Sequence, residues 1–122
     1  MKRNYVDGFV IPIKKSKVIQ YKKMAKMGEK VWIKNGALDY FECVGDDLFV
    51  KWGMNFPKMC KLKKDETIIF SFITYKSKKH RDQVNKKVMK DLSLKLPEDM
   101  MPFDMKRFSS GGFKILNYQQ IN

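Results

Sequence analysis

Two segments of the chain are apolar at both odd and even positions, which is the pattern of a strand buried on two faces. They are Tyr5–Ile13 near the N-terminus and Thr67–Tyr75 in the second half. In the later segment Phe70 and Phe72 share one face, whereas Ile69 lies on the other. Strands of this kind need cover on both faces.

Two helices are well marked, and each follows one of these strands. The first is predicted from about Ser16, which can cap it, to Asn35, where Asn35-Gly36 is a stop signal. Its apolar positions recur at helical spacing: Val18, Tyr21, Ala25, Gly28 and Trp32, with Met24 and Val31 alongside. Gly28 within this stripe indicates a close approach of the helix backbone to a strand.

The second helix is predicted from a cap at Ser77 to about Leu92. Its inward positions are expected to be Val84, Val88, Met89 and Leu92. Two helices suffice to cover one side of a small sheet. Something outside this single chain is therefore expected to cover the other side.

The order of the elements predicts the fold class. Ala37–Val44 and Arg107–Leu116 complete four strands, and the segments Asp46–Lys64 and Leu94–Asp104 read as irregular, the former with room for a short helix. The order βαββαβ is that of a ferredoxin-like α+β domain with an antiparallel sheet and both helices on one face. We expect one domain over residues 1–122, and two copies stacked as a homodimer.

Composition agrees with a folded domain and raises the question of nucleic acid. Hydrophobic residues make up 43% of the 122 residues, which argues against disorder despite a net charge of +13. The lysines concentrate between Lys14 and Lys30 and between Lys76 and Lys90, both in predicted helices. A solvated outer helix face is the favoured interpretation, and an anion-binding surface is the alternative. With neither a membrane-length apolar run nor a signal-like N-terminus, a cytoplasmic location is expected.

Metal and cofactor chemistry finds little support in the sequence. Cys43 and Cys60 lack metal-ligand spacing and are expected to be free thiols, with Cys43 in the core, and His80 is the single histidine. No phosphate-binding glycine motif occurs, so no cofactor and no metal are predicted.

Six charged residues are candidates for a ligand site. Asp7 and Glu42 stand inside apolar strands, where a charge needs a partner or a function. The block Asp104-Met105-Lys106-Arg107 precedes the Gly111-Gly112 pair, and Arg81 can turn inward from the second helix. A polar-ligand site at a barrel mouth is one interpretation. For the block Asp104–Arg107 the other interpretation is an ion-pair cluster that locks the last strand at the dimer interface. For Asp7 and Glu42 the other interpretation is pairing with Arg107 or Arg81 across the sheet.

Several blocks in order along the chain resemble the YbaA-like family of small, uncharacterised bacterial proteins. They are Tyr5-Val6-Asp7-Gly8-Phe9, Gly36-Ala37-Leu38, Glu42-Cys43-Val44-Gly45-Asp46-Asp47, Ser77-Lys78-Lys79-His80-Arg81-Asp82, Met101-Pro102-Phe103-Asp104-Met105-Lys106-Arg107 and Gly111-Gly112-Phe113. The resemblance implies the dimeric α+β barrel superfamily, whose members pair two ferredoxin-like sheets and often hold small ligands. It implies no activity and no residue role.

These observations leave three hypotheses. The first is a homodimer that binds a small organic ligand in a cavity and could catalyse a cofactor-free reaction such as oxygenation or isomerisation. The second is RNA binding by the basic helical surface. The third is a non-catalytic interaction module that docks through Asp46–Lys64.

Overall fold

The computed structural model describes residues 2–91 and 100–119 of the chain. Four antiparallel strands form one open sheet in the order β2-β3-β1-β4. The strands are β1 (Tyr5–Lys14), β2 (Asp39–Val44), β3 (Glu66–Tyr75) and β4 (Ser109–Lys114). The long apolar segments are thus the two central strands, and the predicted α+β class is confirmed.

Helix α1 spans Val18–Lys34 and is entered through a 3₁₀ turn at Lys15–Lys17. The prediction that Ser16 caps this helix is wrong, because the cap position is Lys17, which makes no side-chain cap hydrogen bond. The predicted stop is confirmed. Gly36 has a φ of +114°, a conformation that a residue with a Cβ rarely adopts.

Helix α3 spans Lys78–Lys90, and a short helix α2 spans Phe56–Met59 within the long connection before β3. The predicted cap of α3 is confirmed, since the Ser77 hydroxyl accepts a hydrogen bond from the His80 backbone N–H. Leu92 and most of the predicted Leu94–Asp104 segment lie outside the described residues.

The helices cover one face of the sheet. Ile11 and Ile69 pack beneath Tyr21 and Ala25 of α1, and Ile73 packs with Val84 of α3. The same face carries the odd-numbered residues of β1 and β3, in agreement with their cross-strand register. The expectation that Met89 points inward is wrong: its side chain is 70% exposed, because it lies one residue beyond the buried Val88 on the α3 surface.

The opposite face, which we call the open face, is apolar and uncovered by any described element over its middle. Phe41, Phe70 and Phe113 remain 48%, 44% and 59% exposed, and Phe41 stacks on Phe72 with ring centroids 4.7 Å apart. The apolar centre of the open face comprises Val6, Gly8, Val10, Phe41, Cys43, Phe70, Phe72, Gly111 and Phe113. Asp39 and Thr74 lie on the same face at one end, where the Asp39 carboxylate binds Arg3. The prediction that Cys43 is a core residue is therefore wrong, because β2 turns it outward.

The close approach predicted at Gly28 is confirmed. A Cβ at this position would lie 2.7 Å from the Tyr40 hydroxyl oxygen, which is shorter than atoms in contact allow. Gly28 therefore lets α1 sit directly over β2, and this contact shapes the site described next.

Candidate functional site

The six predicted site residues do not converge on one place. Asp104 and Lys106 are exposed in a turn, where the Asp104 carboxylate accepts a hydrogen bond from the Lys106 backbone N–H at 2.9 Å. Arg107 instead donates to Glu66 through both terminal guanidinium nitrogens, at 2.6 and 2.9 Å. It also donates to the Lys61 carbonyl at 3.3 Å, so it ties the segment before β4 to the start of β3.

Asp7 and Arg81 form a second, separate cluster between the sheet and α3. The Arg81 Nε lies 3.6 Å from an Asp7 carboxylate oxygen, and its Nη2 donates to the Tyr5 hydroxyl at 3.0 Å. Burial raises the pKa of Asp7, and the Arg81 charge opposes this rise. The ion-pair interpretation of Asp7 is confirmed, with Arg81 as the partner.

Glu42 has an environment that differs from both of these clusters. It lies on β2, on the helix-covered face, and its two carboxylate oxygens accept hydrogen bonds from Tyr21 at 2.6 Å and from Tyr40 at 3.0 Å. Burial raises the pKa of Glu42, while the two phenol donors favour its ionised form and oppose the rise. The expected pairing of Glu42 with Arg81 or Arg107 is wrong, since these arginines bind Asp7 and Glu66.

A cleft of about 610 Å³ opens beside Glu42. Its floor is the sheet, one wall is α1, and the other wall comes from residues 101–108. Apolar side chains make up most of its lining, with Ser71 and the tyrosine hydroxyls as polar points. The lining residues are Phe9, Ile11, Tyr21, Met24, Ala25, Met27, Gly28, Trp32, Tyr40, Glu42, Ser71, Ile73, Met101, Phe103, Met105 and Phe108.

A second cleft, of about 570 Å³, lies on the other side of α1 along the edge strand β2. Tyr21, Ala25, Tyr40 and Glu42 line both clefts, so these four residues stand between them. The second cleft also has charged groups at its border, namely Lys22, Lys26 and Glu29. The first cleft is the more apolar of the two.

Sequence reasoning found Glu42 but missed the two tyrosines that hold it. Tyr40 and Glu42 are two residues apart on one strand and therefore share a face, which is a signal that the sequence does carry. Tyr21 was predicted only as a member of the apolar stripe of the first helix. No local sequence pattern predicts that Phe103 lies opposite Tyr21, with ring centroids 5.9 Å apart.

His80 does not belong to either cleft. Its Nδ1 accepts a hydrogen bond from the Lys76 backbone N–H at 3.0 Å, so it closes the turn that leads into α3. Burial lowers its pKa, and the Lys76 charge adds to this effect. Across residues 2–91 and 100–119, the His, Cys, Asp and Glu side chains form no group of three suited to a metal ion.

Comparison with known proteins establishes the family. A family model described as a protein of unknown function, DUF1428, matches residues 4–105. The chain belongs to this family. The uncharacterised protein YbaA of Escherichia coli strain K12 is 37% identical over 112 residues, which cover 92% of this chain and 96% of YbaA. YbaA of Shigella flexneri aligns with the same identity and coverage. The predicted membership in the YbaA-like family is confirmed.

Among solved structures, a Bacillus cereus protein related to NIF3 overlays on 96% of this chain with a TM-score of 0.40 and 11% sequence identity. The present chain corresponds to 27% of that structure's length. In the part of the chain that the structure describes, no helix has the length and apolar character needed to cross a membrane.

Proposed function

We propose that this protein is a cytoplasmic homodimer with a ferredoxin-like fold, and that it binds a small organic ligand in the cleft beside Glu42. The cleft is the observation that carries the ligand proposal. It combines a concave apolar lining with a few convergent polar groups, which is the usual composition of a small-molecule site. Its volume of about 610 Å³ suits a ligand of drug-like size.

The open face supports the dimer. It presents a continuous group of aromatic rings to water, and Phe70 contacts Phe72 with ring centroids 5.8 Å apart. No strand position between Val6 and Val10, or between Phe70 and Phe72, carries a charge on this face. An extended apolar patch is typical of an interaction surface, and a second copy brings an identical face to cover it.

The apolar centre of the open face also makes RNA a less favoured partner than a second copy of the chain. RNA-binding sheets of similar topology stack bases on exposed aromatic rings, and basic groups nearby contact the phosphates. Here Phe41, Phe70 and Phe113 are exposed, but the lysines concentrate on the helices instead. An apolar partner therefore fits this face better than a polyanion.

The dimer is tested by placing a charge on the open face. Phe70→Glu should shift the purified protein from dimer to monomer in light scattering at micromolar concentration, because two glutamates would meet in the paired faces. Phe49→Glu is the matched control, since Phe49 is 78% exposed in the connection after β2 and its variant should stay dimeric. A monomeric wild-type protein would exclude the dimer.

The ligand proposal is tested by filling the cleft. Met105 lies on the wall formed by residues 101–108, so Met105→Trp should occupy the cleft and abolish binding of a neutral apolar probe such as phenylbutanol. Met54→Trp changes an exposed methionine elsewhere and should leave binding intact. Native mass spectrometry reports the probe and any co-purifying molecule together. Equal binding to wild type and Met105→Trp would contradict the proposal.

The second candidate function is that of a cofactor-free enzyme, and the observation that favours it is the Glu42 carboxylate in the cleft. The pKa of Glu42 is raised by burial, which moves a glutamate toward the range in which it exchanges protons near neutral pH. Incubation of a bound carbonyl compound in deuterium oxide would show exchange at its α-carbon in wild type and none in Glu42→Gln.

The interaction-module hypothesis retains one supporting observation. Trp52, Phe49 and Met54 in the segment Asp46–Lys64 are 87%, 78% and 68% exposed. Aromatic side chains of this size are enriched in protein interfaces. A protein partner captured by wild type and lost with Trp52→Ser would favour this module.

A further inference from the structure

The cleft beside Glu42 has an unusual charge composition for a protein with so many lysines. Of the described residues that line it, Glu42 alone carries a formal charge at neutral pH. Within the described part of the chain this carboxylate takes part in no ion pair. Its two hydrogen-bond donors are the neutral phenols of Tyr21 and Tyr40.

In this arrangement the Glu42 carboxylate can still accept further hydrogen bonds. An ionised carboxylate offers about four lone-pair positions, and the two phenols occupy two of them. Asp7 and Glu66, the other carboxylates buried against the sheet, each have an arginine within ion-pair distance. Glu42 therefore differs from both in facing an open space where a cation would stand.

From this contrast we infer that the cleft binds lipophilic cations, namely protonated amines with an apolar or aromatic body, with Glu42 as the counter-charge. The inference rests on the proposed function of the cleft as a ligand site. It goes further by naming the chemical class of the ligand.

Desolvation discriminates among the possible classes. A neutral ligand that displaces water from the cleft leaves Glu42 more deeply buried with no compensating charge. An anion adds repulsion to that cost. A cation offsets the loss of water around the carboxylate by a charge-assisted hydrogen bond, so it is the class whose entry Glu42 favours.

The surrounding side chains also suit a cation with an apolar body. Trp32 and Tyr40 both line the cleft, with ring centroids 6.1 Å apart, and aromatic rings attract cations through their π systems. Met24, Met101 and Met105 supply flexible thioether surfaces that adapt to different ligand shapes.

The net charge of +13 does not oppose this inference. Lys22, Lys23, Lys26 and Lys30 of α1 are all exposed to solvent. Salt largely screens the interactions of exposed charges over distances greater than roughly 8–10 Å. Among the described residues that line the cleft, Glu42 is therefore the charge that a bound ligand would contact.

Three probes with one skeleton test the inference: phenylbutylamine, phenylbutanol and phenylbutyrate. Calorimetric titration of the full-length protein near pH 7 should give an affinity for the amine at least about tenfold above that for the alcohol, because the amine is protonated and bonds to an ionised acceptor. Phenylbutyrate, the anionic probe, should bind more weakly than phenylbutanol. This comparison uses wild-type protein and needs no variant.

Glu42→Gln then assigns the preference to one side chain. This variant keeps the shape of the side chain and removes its charge, so the amine should lose its advantage over the alcohol. Glu29→Gln is the matched control. Glu29 is an exposed glutamate of α1 that lines only the second cleft, and its variant should keep the preference for the amine.

The outcomes separate this inference from the function on which it rests. Equal binding of amine and alcohol to wild type would overturn the cation inference and leave the cleft as a ligand site. Binding of none of the three probes would overturn both. A preference for the amine that persists in Glu42→Gln would also overturn the inference, because the preference would then arise elsewhere.

Discussion

Glu66 is the most enclosed carboxylate among the ion pairs of the described residues. Its side chain is 6% exposed, and Arg107 donates to both of its carboxylate oxygens. The same carboxylate accepts a hydrogen bond from the Lys63 backbone N–H at 2.8 Å. The Arg107 guanidinium holds the pKa of Glu66 below its ordinary value of 4.5. This pair therefore joins the segment before β4 to the start of β3.

We predict that Arg107→Met lowers the free energy of unfolding by about 3 kcal/mol near pH 7, because it leaves a buried carboxylate without its charged partner. The stabilisation by a carboxyl with a lowered pKa is present above 4.5 and is lost as the pH falls through the native value. The deficit of the variant should therefore shrink in acid. Urea denaturation of wild type and variant near pH 7 and below pH 4.5 measures the loss of unfolding free energy and its decrease in acid.

Lys106→Met is the control for this prediction, since it removes a neighbouring cation that is exposed. Its effect should stay within about 0.5 kcal/mol at either pH. If Arg107→Met and Lys106→Met were equally stable, the Glu66 pair would contribute nothing to folding.

At the scale of elements, the contact between α1 and β2 depends on one glycine and one tyrosine. Alanine at position 28 gains up to about 1 kcal/mol in helix propensity. Its methyl group would displace the Tyr40 hydroxyl from Glu42, because that hydroxyl lies 2.7 Å from the Cβ position. A hydrogen bond to a charged group is worth about 1.5–3 kcal/mol, so the loss exceeds the gain.

We predict that Gly28→Ala destabilises the wild type by about 1 kcal/mol and stabilises the Tyr40→Phe variant by a similar amount. The phenyl ring without its hydroxyl leaves the new methyl at an ordinary contact distance of 3.5 Å. Urea denaturation of the four proteins of this double-mutant cycle gives the coupling. Additive effects of the two substitutions would show that the hydroxyl does not set the helix position.

At the scale of the whole molecule, pairing of open faces would cover a reactive group. The Cys43 thiol is exposed on the open face, while Cys60 is half-buried near Arg107. In a dimer that stacks these faces, Cys43 becomes inaccessible although the monomer leaves it open.

We therefore predict that a Cys60→Ser protein reacts with a thiol reagent more slowly as its concentration rises through the dimerisation range. Adding Phe70→Glu should restore fast reaction at every concentration, because it separates the faces. A reaction rate independent of concentration in the Phe70-containing protein would place Cys43 outside any interface.

Local signals explain why the order of elements was predictable. The cap at Ser77 and the stop at Gly36 each depend on backbone geometry within a few residues. The wrong prediction that Met89 is buried also came from a local pattern, because a shift of one position around a helix exchanges a buried residue for an exposed one.

The partners of the charged residues were not predictable in the same way. Asp7, Glu42 and Glu66 each need a hydrogen-bond donor, and the available donors included Arg81, Arg107, Tyr21 and Tyr40. The choice among them depends on register and on the angle of α1, which no local pattern encodes.

The sequence by itself determined that this is an α+β protein with two strands apolar on both faces, since periodicity and backbone preference act over short distances. Tertiary structure alone decided that Tyr21 and Tyr40 hold Glu42 and that residues 101–108 close a cleft around them. Such a site forms only when segments distant along the chain are brought together by packing, and that packing is a property of the whole fold.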